Sequence, residues 1–307
     1  MIKIESNYSM KNLIDLMGKY QLSKLLRVLF NRIPVIIIGN ESIKVDKVVN
    51  SLTQLMPHRN ELLYWSDFIE ETEANQLYQS EEADFNIPRI IVRSLSNATQ
   101  HALRKIDPKH FNGWVLGYSL KNKFNLREAI NIFSEKLSES VILYLDTDKI
   151  EFLETNNKWN GKNYYFEKDL IYKSIIETET ALEKMKRVLQ KKIKKSKNSS
   201  SGIIDAVMTF ETEEEKIRQN IYNQIVDEFV QAANRALAIL SRIELLQELG
   251  FNIQISVKTL LKTIDYHEVD HKRLLEFLYY EYGIDFSKCL GTGLKIEIGD
   301  AIESRWG

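Results

Sequence analysis

The chain has 307 residues, with 42 Lys and Arg against 43 Asp and Glu, for a net charge of −1. That balance excludes a globally basic nucleic-acid binder and leaves only a local cationic patch open. Apolar residues at 44% and charged residues at 28% exclude overall disorder, and a single cysteine excludes an internal disulfide framework or a cysteine-based zinc ribbon. At roughly 100–200 residues per domain the length predicts two domains. No charged-then-apolar leader opens the sequence, and no apolar run approaches the ~18 residues of a membrane span, so a soluble, cytoplasmic protein is expected.

Pro34 opens the β-branched run Val35-Ile36-Ile37-Ile38, which Gly39 closes. An unbroken run of this kind predicts a strand buried on both faces of a parallel sheet. Asn40 or Ser42 is the expected cap of a helix whose apolar stripe is Ile43, Val45, Val48, Val49, Leu52, Leu55 and Met56, stopped by Pro57. Glu61 to Phe68 reads as a second strand. The same grammar returns at Pro88-Arg89-Ile90-Ile91-Val92, followed by a helix capped by Ser94 or Ser96 and running to about Lys105. Trp114 to Leu120 is the next strand, Asn125 to Glu139 the next helix, and Val141 to Leu145 the next strand. Ile150 to Leu153 is expected to fold back on it through the Asp146–Lys149 turn. Alternation of this kind predicts an α/β fold, an open and mostly parallel sheet with flanking helices. Val35–Ile38 and Ile90–Val92 are expected as adjacent parallel strands.

From about Glu167 the pattern becomes helical, giving an α/β sheet domain over 1–166 and a helical domain over 167–307. A long helix over 168–195 ends in a stretch, Lys184 to Lys197, with eight cations and no acid. Ser196 to Gly202 reads as a flexible linker. A second long helix is expected from about Glu211, whose acids Glu211 to Glu215 suit a helix N-terminus, to Leu249, ended by Gly250. Helices over 257–264 and 266–282 and a small strand over Leu294–Ile298 complete the prediction.

Four positions bear on chemistry. The turn Gly39-Asn40-Glu41-Ser42-Ile43-Lys44 lacks the second glycine of a phosphate-cradling loop, carries its lysine out of register, and places Glu41 where phosphate would be repelled. It reads as an ordinary strand-to-helix turn, and no cofactor is expected. His267-Glu268-Val269-Asp270-His271 has the H-E-x-x-H spacing that puts two imidazoles on one helical face with a glutamate beside them. Asp265 and Glu268, however, have the spacing of a helix cap, and Asp270 with Lys272-Arg273 reads as a wet surface, so no metal is expected at His267, Glu268 and His271. Lys184 to Lys197 reads as a solvated helix end, with peripheral contact to phosphate or anionic lipid as its functional alternative. Cys289 reads as inert, and Phe277, Tyr279, Tyr280 and Tyr282 as a helix face.

Over about residues 25–120 the layout resembles the core of a DENN module. The elements that carry the resemblance are Leu25-Leu26-Arg27-Val28-Leu29-Phe30, Pro34 to Gly39, and Leu52-Thr53-Gln54-Leu55-Met56-Pro57. Leu62-Leu63-Tyr64-Trp65 with Asp67-Phe68 follows, then Pro88 to Val92 with Ser96-Asn97, and Pro108 to Gly117. Arg93 stands where the family has a small residue. The resemblance implies a helical subdomain after the core, and guanine-nucleotide exchange on, or simple binding of, a Rab-type small GTPase through surface contacts without covalent catalysis.

Three functional readings are carried forward. The first is a non-catalytic interaction or regulatory protein, DENN-like, whose partner is a small GTPase. The second is an assembly protein acting through its long helices. The third is a metal-dependent hydrolase using His267, Glu268 and His271. No catalytic residue and no specific nucleic acid is expected, and the partner-binding residues are left open.

Overall fold

The computed structural model describes residues 8–120, 125–137, 139–147, 149–153, 163–195 and 200–291, with the backbone alone for 192–195 and 200–212. The sheet comprises β1 (Val35–Gly39), β2 (Asn60–Leu63), β3 (Ile90–Ser94), β4 (Trp114–Ser119), β5 (Val141–Leu145) and β6 (Ile150–Leu153), in the order β2-β3-β4-β1-β5-β6. The first five are parallel, and β6 folds back antiparallel on β5. The fold is therefore α/β, a mostly parallel sheet with flanking helices, followed by a helical region.

The adjacency expected for the two β-branched strands does not occur. β1 lies between β4 and β5, with Val35 opposite both Val115 and Val141, while β3 lies between β2 and β4. The chain leaves β1 for the far edge and steps back inward through β3 and β4. An all-apolar composition marks a strand as central but does not rank central positions, so Trp114–Ser119 could take the place beside β1.

This route also fixes the layers. Right-handed crossovers put connections that run in opposite directions on opposite faces of the sheet. The outward step carries α2 (Ser42–Thr53) on one face. The return steps carry α3 (Glu71–Ala83), α4 (Thr99–Lys105) and α5 (Leu126–Lys136) on the other. Alternate strand residues serve the two cores. Val35, Ile37, Val115 and Leu143 face the first with α1 (Met10–Phe30) and α2; Ile36, Ile38, Leu116 and Ile142 face the second with Ala102 and Phe133. α2 crosses β4 so closely that a Cβ on Gly117 would lie 3.1 Å from both Val45 and Val49.

The first core continues without a break into the helical region. α6 (Tyr165–Lys195) and α7 (Ser200–Glu248) form an antiparallel pair, and Phe229, Ala232, Ala233 and Ala236 of α7 pack with Phe30 and Phe166. α7 already begins at Ser200, not near 211; residues 196–199 of the expected linker lie outside the described residues, and 200–202 are helical. Small polar residues read as linker by composition, yet one glycine costs only about 1 kcal/mol in a helix, little against propagation of a long one. Glu211 to Glu215 thus sit inside α7, away from its N-terminus. Gly250, at φ +87, follows its end. No helix among the described residues is long and apolar enough to cross a membrane.

Several local expectations are corrected. α2 starts after Glu41 with no side-chain cap, and α4 starts after Ala98, with the Ser96 side chain engaged elsewhere: its hydroxyl donates to Asp46 Oδ2 at 3.2 Å and its N–H to Asp46 Oδ1 at 2.7 Å. β2 stops at Leu63, since Trp65 turns the chain at φ +80. The last helices are α8 (Val257–Ile264) and α9 (His271–Tyr282), the second starting five residues later than expected. Two short strands, β7 (Ile255–Ser256) and β8 (Leu290–Gly291), pair in parallel; the strand expected over 294–298 lies outside the described residues.

At the amino-terminal end of the sheet, α9 is fastened by buried charges. Arg59, just before β2, donates Nε to Glu281 Oε1 at 3.1 Å, and its Nη1 and Nη2 donate to the carbonyls of Leu29 and Phe30. Arg89 Nε donates to the Glu281 carbonyl at 3.0 Å. Glu81 at the end of α3 receives Arg32 at 2.9 Å and the N–H of Ile90. On the same helix α9, Arg273 Nε donates to Glu167 at 2.6 Å and its Nη1 to Asn31 Oδ1 at 3.1 Å, while Glu276 accepts from Arg27 and Asn31. Burial alone would resist ionisation of Glu281, but Arg59, then His58 and Arg32, hold its carboxyl well below the usual range.

Two outcomes follow from these arrangements. Ile37→Asp places an unpaired charge in the first core; the several kcal/mol this costs rival the stability of a whole domain, so the variant is expected to be insoluble or to lack a cooperative melt by circular dichroism. Glu281→Gln leaves Arg59 buried without its carboxylate and is expected to lose about 3–5 kcal/mol in urea unfolding at neutral pH. Because the folded-state pKa of Glu281 is depressed, its contribution is complete above its unfolded value of about 4.3 and is lost as pH falls below that. Melting temperature against pH should therefore drop less steeply below about pH 4.3 in Glu281→Gln than in the parent.

Candidate functional site

The structure separates the positions singled out by sequence. In the first βα turn a Cβ on Gly39 would lie 2.8 Å from Val45 and 3.2 Å from Leu145, the Gly39 carbonyl accepts from Leu120 N–H at 2.8 Å, and Lys44 is held by Glu41 at 2.8 Å. The turn is closed by packing and backbone bonds.

His267-Glu268-Val269-Asp270-His271 does not form one helical face. Asp265 adopts a left-handed conformation at φ +53 and ends α8, so it cannot cap the next helix. Asp270 does so instead, accepting from Lys272 N–H at 3.2 Å, and His271 is the first residue of α9 while His267 stays outside it. Glu268 receives Lys173 at 3.1 Å and the Tyr266 hydroxyl at 3.3 Å. Among the described residues no three His, Cys, Asp or Glu are grouped to hold a metal.

The cationic end of α6 is exposed at Lys184, Arg187 and Lys191. The Lys173–Glu228 pair, at 3.3 Å, sets an antiparallel register that brings 184–195 alongside about 206–217 of α7, where Glu211 to Glu215 lie. Cys289 is buried, and burial pushes its thiol up to about 11, which keeps it protonated and unreactive. Phe277 is core, Tyr282 donates to Asn234 Oδ1 at 2.7 Å, and Tyr279 is exposed.

A surface feature that no sequence motif marks lies at the rim of the sheet. At the carboxyl ends of β2 and β3 an open depression of about 390 Å³ is lined by Leu63, Tyr64, Trp65, Ser66, Leu95 and Asn97, with Ala98 at its base. Trp65 holds the left-handed φ of +80, which is strained for a bulky side chain, and its ring is half exposed. The turn over-determines this conformation: Trp65 N–H donates to the Phe68 carbonyl at 2.9 Å, Asp67 N–H to the Leu63 carbonyl at 2.9 Å, and Leu63 N–H to the Asp67 carboxylate. Beneath it Tyr64 is buried against Phe68 and Trp114, and burial pushes its hydroxyl up to about 12.

The Tyr64 hydroxyl lies 3.2 Å from the Ile69 carbonyl and 2.7 Å from His101 Nδ1. One hydroxyl hydrogen serves both contacts when it goes to the carbonyl and His101 Nδ1–H donates to the oxygen. That tautomer leaves Nε2 as an acceptor, on a ring whose centroid is 4.3 Å from that of Trp65. The arrangement offers a flat exposed indole, an imidazole acceptor and backbone groups: means for gripping a surface.

The chain was compared with protein-family models, with curated proteins and with solved structures, and none of the three comparisons finds a match.

If Trp65 is held for recognition and not for packing, Trp65→Gly should keep or raise the melting temperature, because glycine adopts positive φ without the ~1 kcal/mol or more a bulky residue is charged. A fall of several degrees in a thermal melt would make the indole a structural residue.

Proposed function

We propose that the chain is a non-catalytic protein-interaction module, a DENN-like binder or exchange factor of a Rab-type small GTPase that works in the cytoplasm. The observation that carries the reading is the rim of the sheet at β2 and β3. There an exposed tryptophan is kept in a strained backbone by a closed set of turn bonds, on a rigid parallel sheet. Strain maintained at a surface residue is a mark of binding sites, and exposed aromatics on rigid scaffolds are favoured anchors of protein interfaces. The element order from Leu25 to Leu120 and the helical region behind it support the same assignment through the DENN resemblance. The cationic stretch Lys184 to Lys197, exposed at Lys184, Arg187 and Lys191 of α6, suits peripheral contact with anionic lipid.

A second reading, assembly through the long helices, has one observation in its favour. Tyr165, Tyr172 and Ile176 share one face of α6 and are each more than 40% exposed. It predicts a salt-insensitive oligomer that Tyr172→Glu with Ile176→Glu dissolves, read by light scattering after size exclusion.

The GTPase reading is tested by release of fluorescent GDP from a panel of Rab-type GTPases with and without the chain. At least one member should either exchange about tenfold faster or co-elute with the chain in its GDP form. A panel with neither behaviour rejects it.

A further inference from the structure

We propose that the Trp65 depression is the docking surface for a basic segment of a partner protein, with an arginine or lysine of that segment laid against the indole. The inference rests on reading the chain as an interaction module and adds to it the chemistry of the partner.

Charge complementarity identifies the occupant. Between Arg59 and Arg89 the chain has no Lys or Arg but eight acids. Two are paired with cations, Glu61 at the surface by Arg93 at 2.7 Å and Glu81 inside the fold by Arg32 at 2.9 Å. Of the other six, Asp67, Glu70, Glu71 and Glu73 lie in the Trp65 turn and the first turn of α3, while Glu82 and Asp84 lie at the far end of α3 beside Glu81. Five are exposed and Glu71 is partly so; among the described residues none is within ion-pair distance of a cation. In a chain of net charge −1 the four acids at the turn and the start of α3 are a local excess, and they border a strand end where a large aromatic, Trp65, lies half open to solvent.

Asp67 and Glu73 have structural duties. Asp67 accepts Leu63 N–H, and Glu73 accepts the N–H groups of Ile69 and Glu70 at 3.0 and 3.1 Å. Glu70 is the N-cap of α3 and shares a capping box with Glu73, while Glu71 follows it in the first turn; both lie next to Ile69, which is 43% exposed. A guanidinium over the Trp65 ring would gain a cation–π contact and lie close to these two carboxylates. His101 Nε2 offers a further acceptor, and Ile69 with Leu63 a place for an apolar neighbour. An acidic or purely apolar partner would meet repulsion or leave the carboxylates stripped of water without compensation.

The test uses the full chain and a short labelled peptide of alternating arginine and leucine, read by fluorescence anisotropy. A glutamate–leucine peptide and a lysine–glycine peptide of equal charge serve as comparisons. The arginine–leucine peptide should bind about tenfold or more tighter than the lysine–glycine one and weaken as salt rises from about 50 to about 300 mM, and the glutamate peptide should not bind. Trp65→Gly should weaken binding about fivefold or more without lowering the melting temperature, and Glu71→Gln should weaken it about twofold or more. Binding that is absent, or equal in parent and variants, overturns the proposal. So does a salt-sensitive dimer in sedimentation that the same substitutions abolish, since the surface would then belong to a second copy. No GTPase enters this assay, so its outcome is separate from that of the exchange panel.

Discussion

Everything beneath the sheet hangs on the placement of one carboxylate, Glu281. It sits on the last helical turn of α9, receives Arg59 in a two-pronged grip and lends its own carbonyl to Arg89. Those two arginines lie just before β2 and β3, and Arg59 also reaches the carbonyls that end α1. One residue near the end of the described chain thereby fixes the entry points of two strands and the exit of the first helix. Buried ion pairs seldom add net stability, because desolvation consumes most of the attraction. Their effect here is selective: a packing of α9 shifted by one turn would strand charges of both signs in the interior. Arg273 and Glu276 repeat the device two turns earlier against Glu167, Arg27 and Asn31.

The two ends of the sheet consequently differ in kind. At the amino-terminal end, acids and bases meet inside the fold and close on one another. At the carboxyl end, along the β2–α3 side, acids remain on the surface without cations and a tryptophan stands half open above a tyrosine–histidine bond. The first end is built to resist rearrangement; the second has charge, aromatic surface and backbone rigidity left over for something else. Open α/β sheets place recognition at the carboxyl ends of their strands for this reason: loops there are free to vary while the ladder below stays fixed.

How much of this could be read from sequence varies with the kind of information needed. Val35 to Ile38 could be recognised as a two-sided buried strand because burial on both faces demands an unbroken apolar run, and Gly250 could be recognised as a helix end because its conformation is written in its identity. Lateral strand order could not, since β1 bonds to β4 and β5 through backbone groups that every residue has. The Trp65 turn is hidden inside ELLYWSDF, where five of eight side chains are apolar or aromatic and suit a strand; the Ser66-Asp67 pair is the available signal, and Asp67 is the residue that accepts the turn's N–H. The absence of any base between Arg59 and Arg89 was equally present in the sequence. It lacks meaning until the fold shows which acids, Glu61 and Glu81, already have a cation as partner. His267 and His271 show the opposite case: their spacing places both on one face only if the intervening residues are helical, and Asp265 in its left-handed conformation starts a loop there.

The central position of β1 has a cost in time. Its ladder partners are about 80 and 106 residues downstream, at Val115 and Val141. During synthesis at about 5–20 residues per second, Val35-Ile36-Ile37-Ile38 leaves the ribosome several seconds before either neighbour exists. A short, uncharged, β-branched segment with both edges open is the kind of segment that recruits copies of itself. α1 and α2, which flank it in sequence and already bury one of its faces, are the only local cover during that interval. The nascent chain is thus most exposed to misassembly in the window before β4 emerges, which makes this stretch the natural client of a holding chaperone.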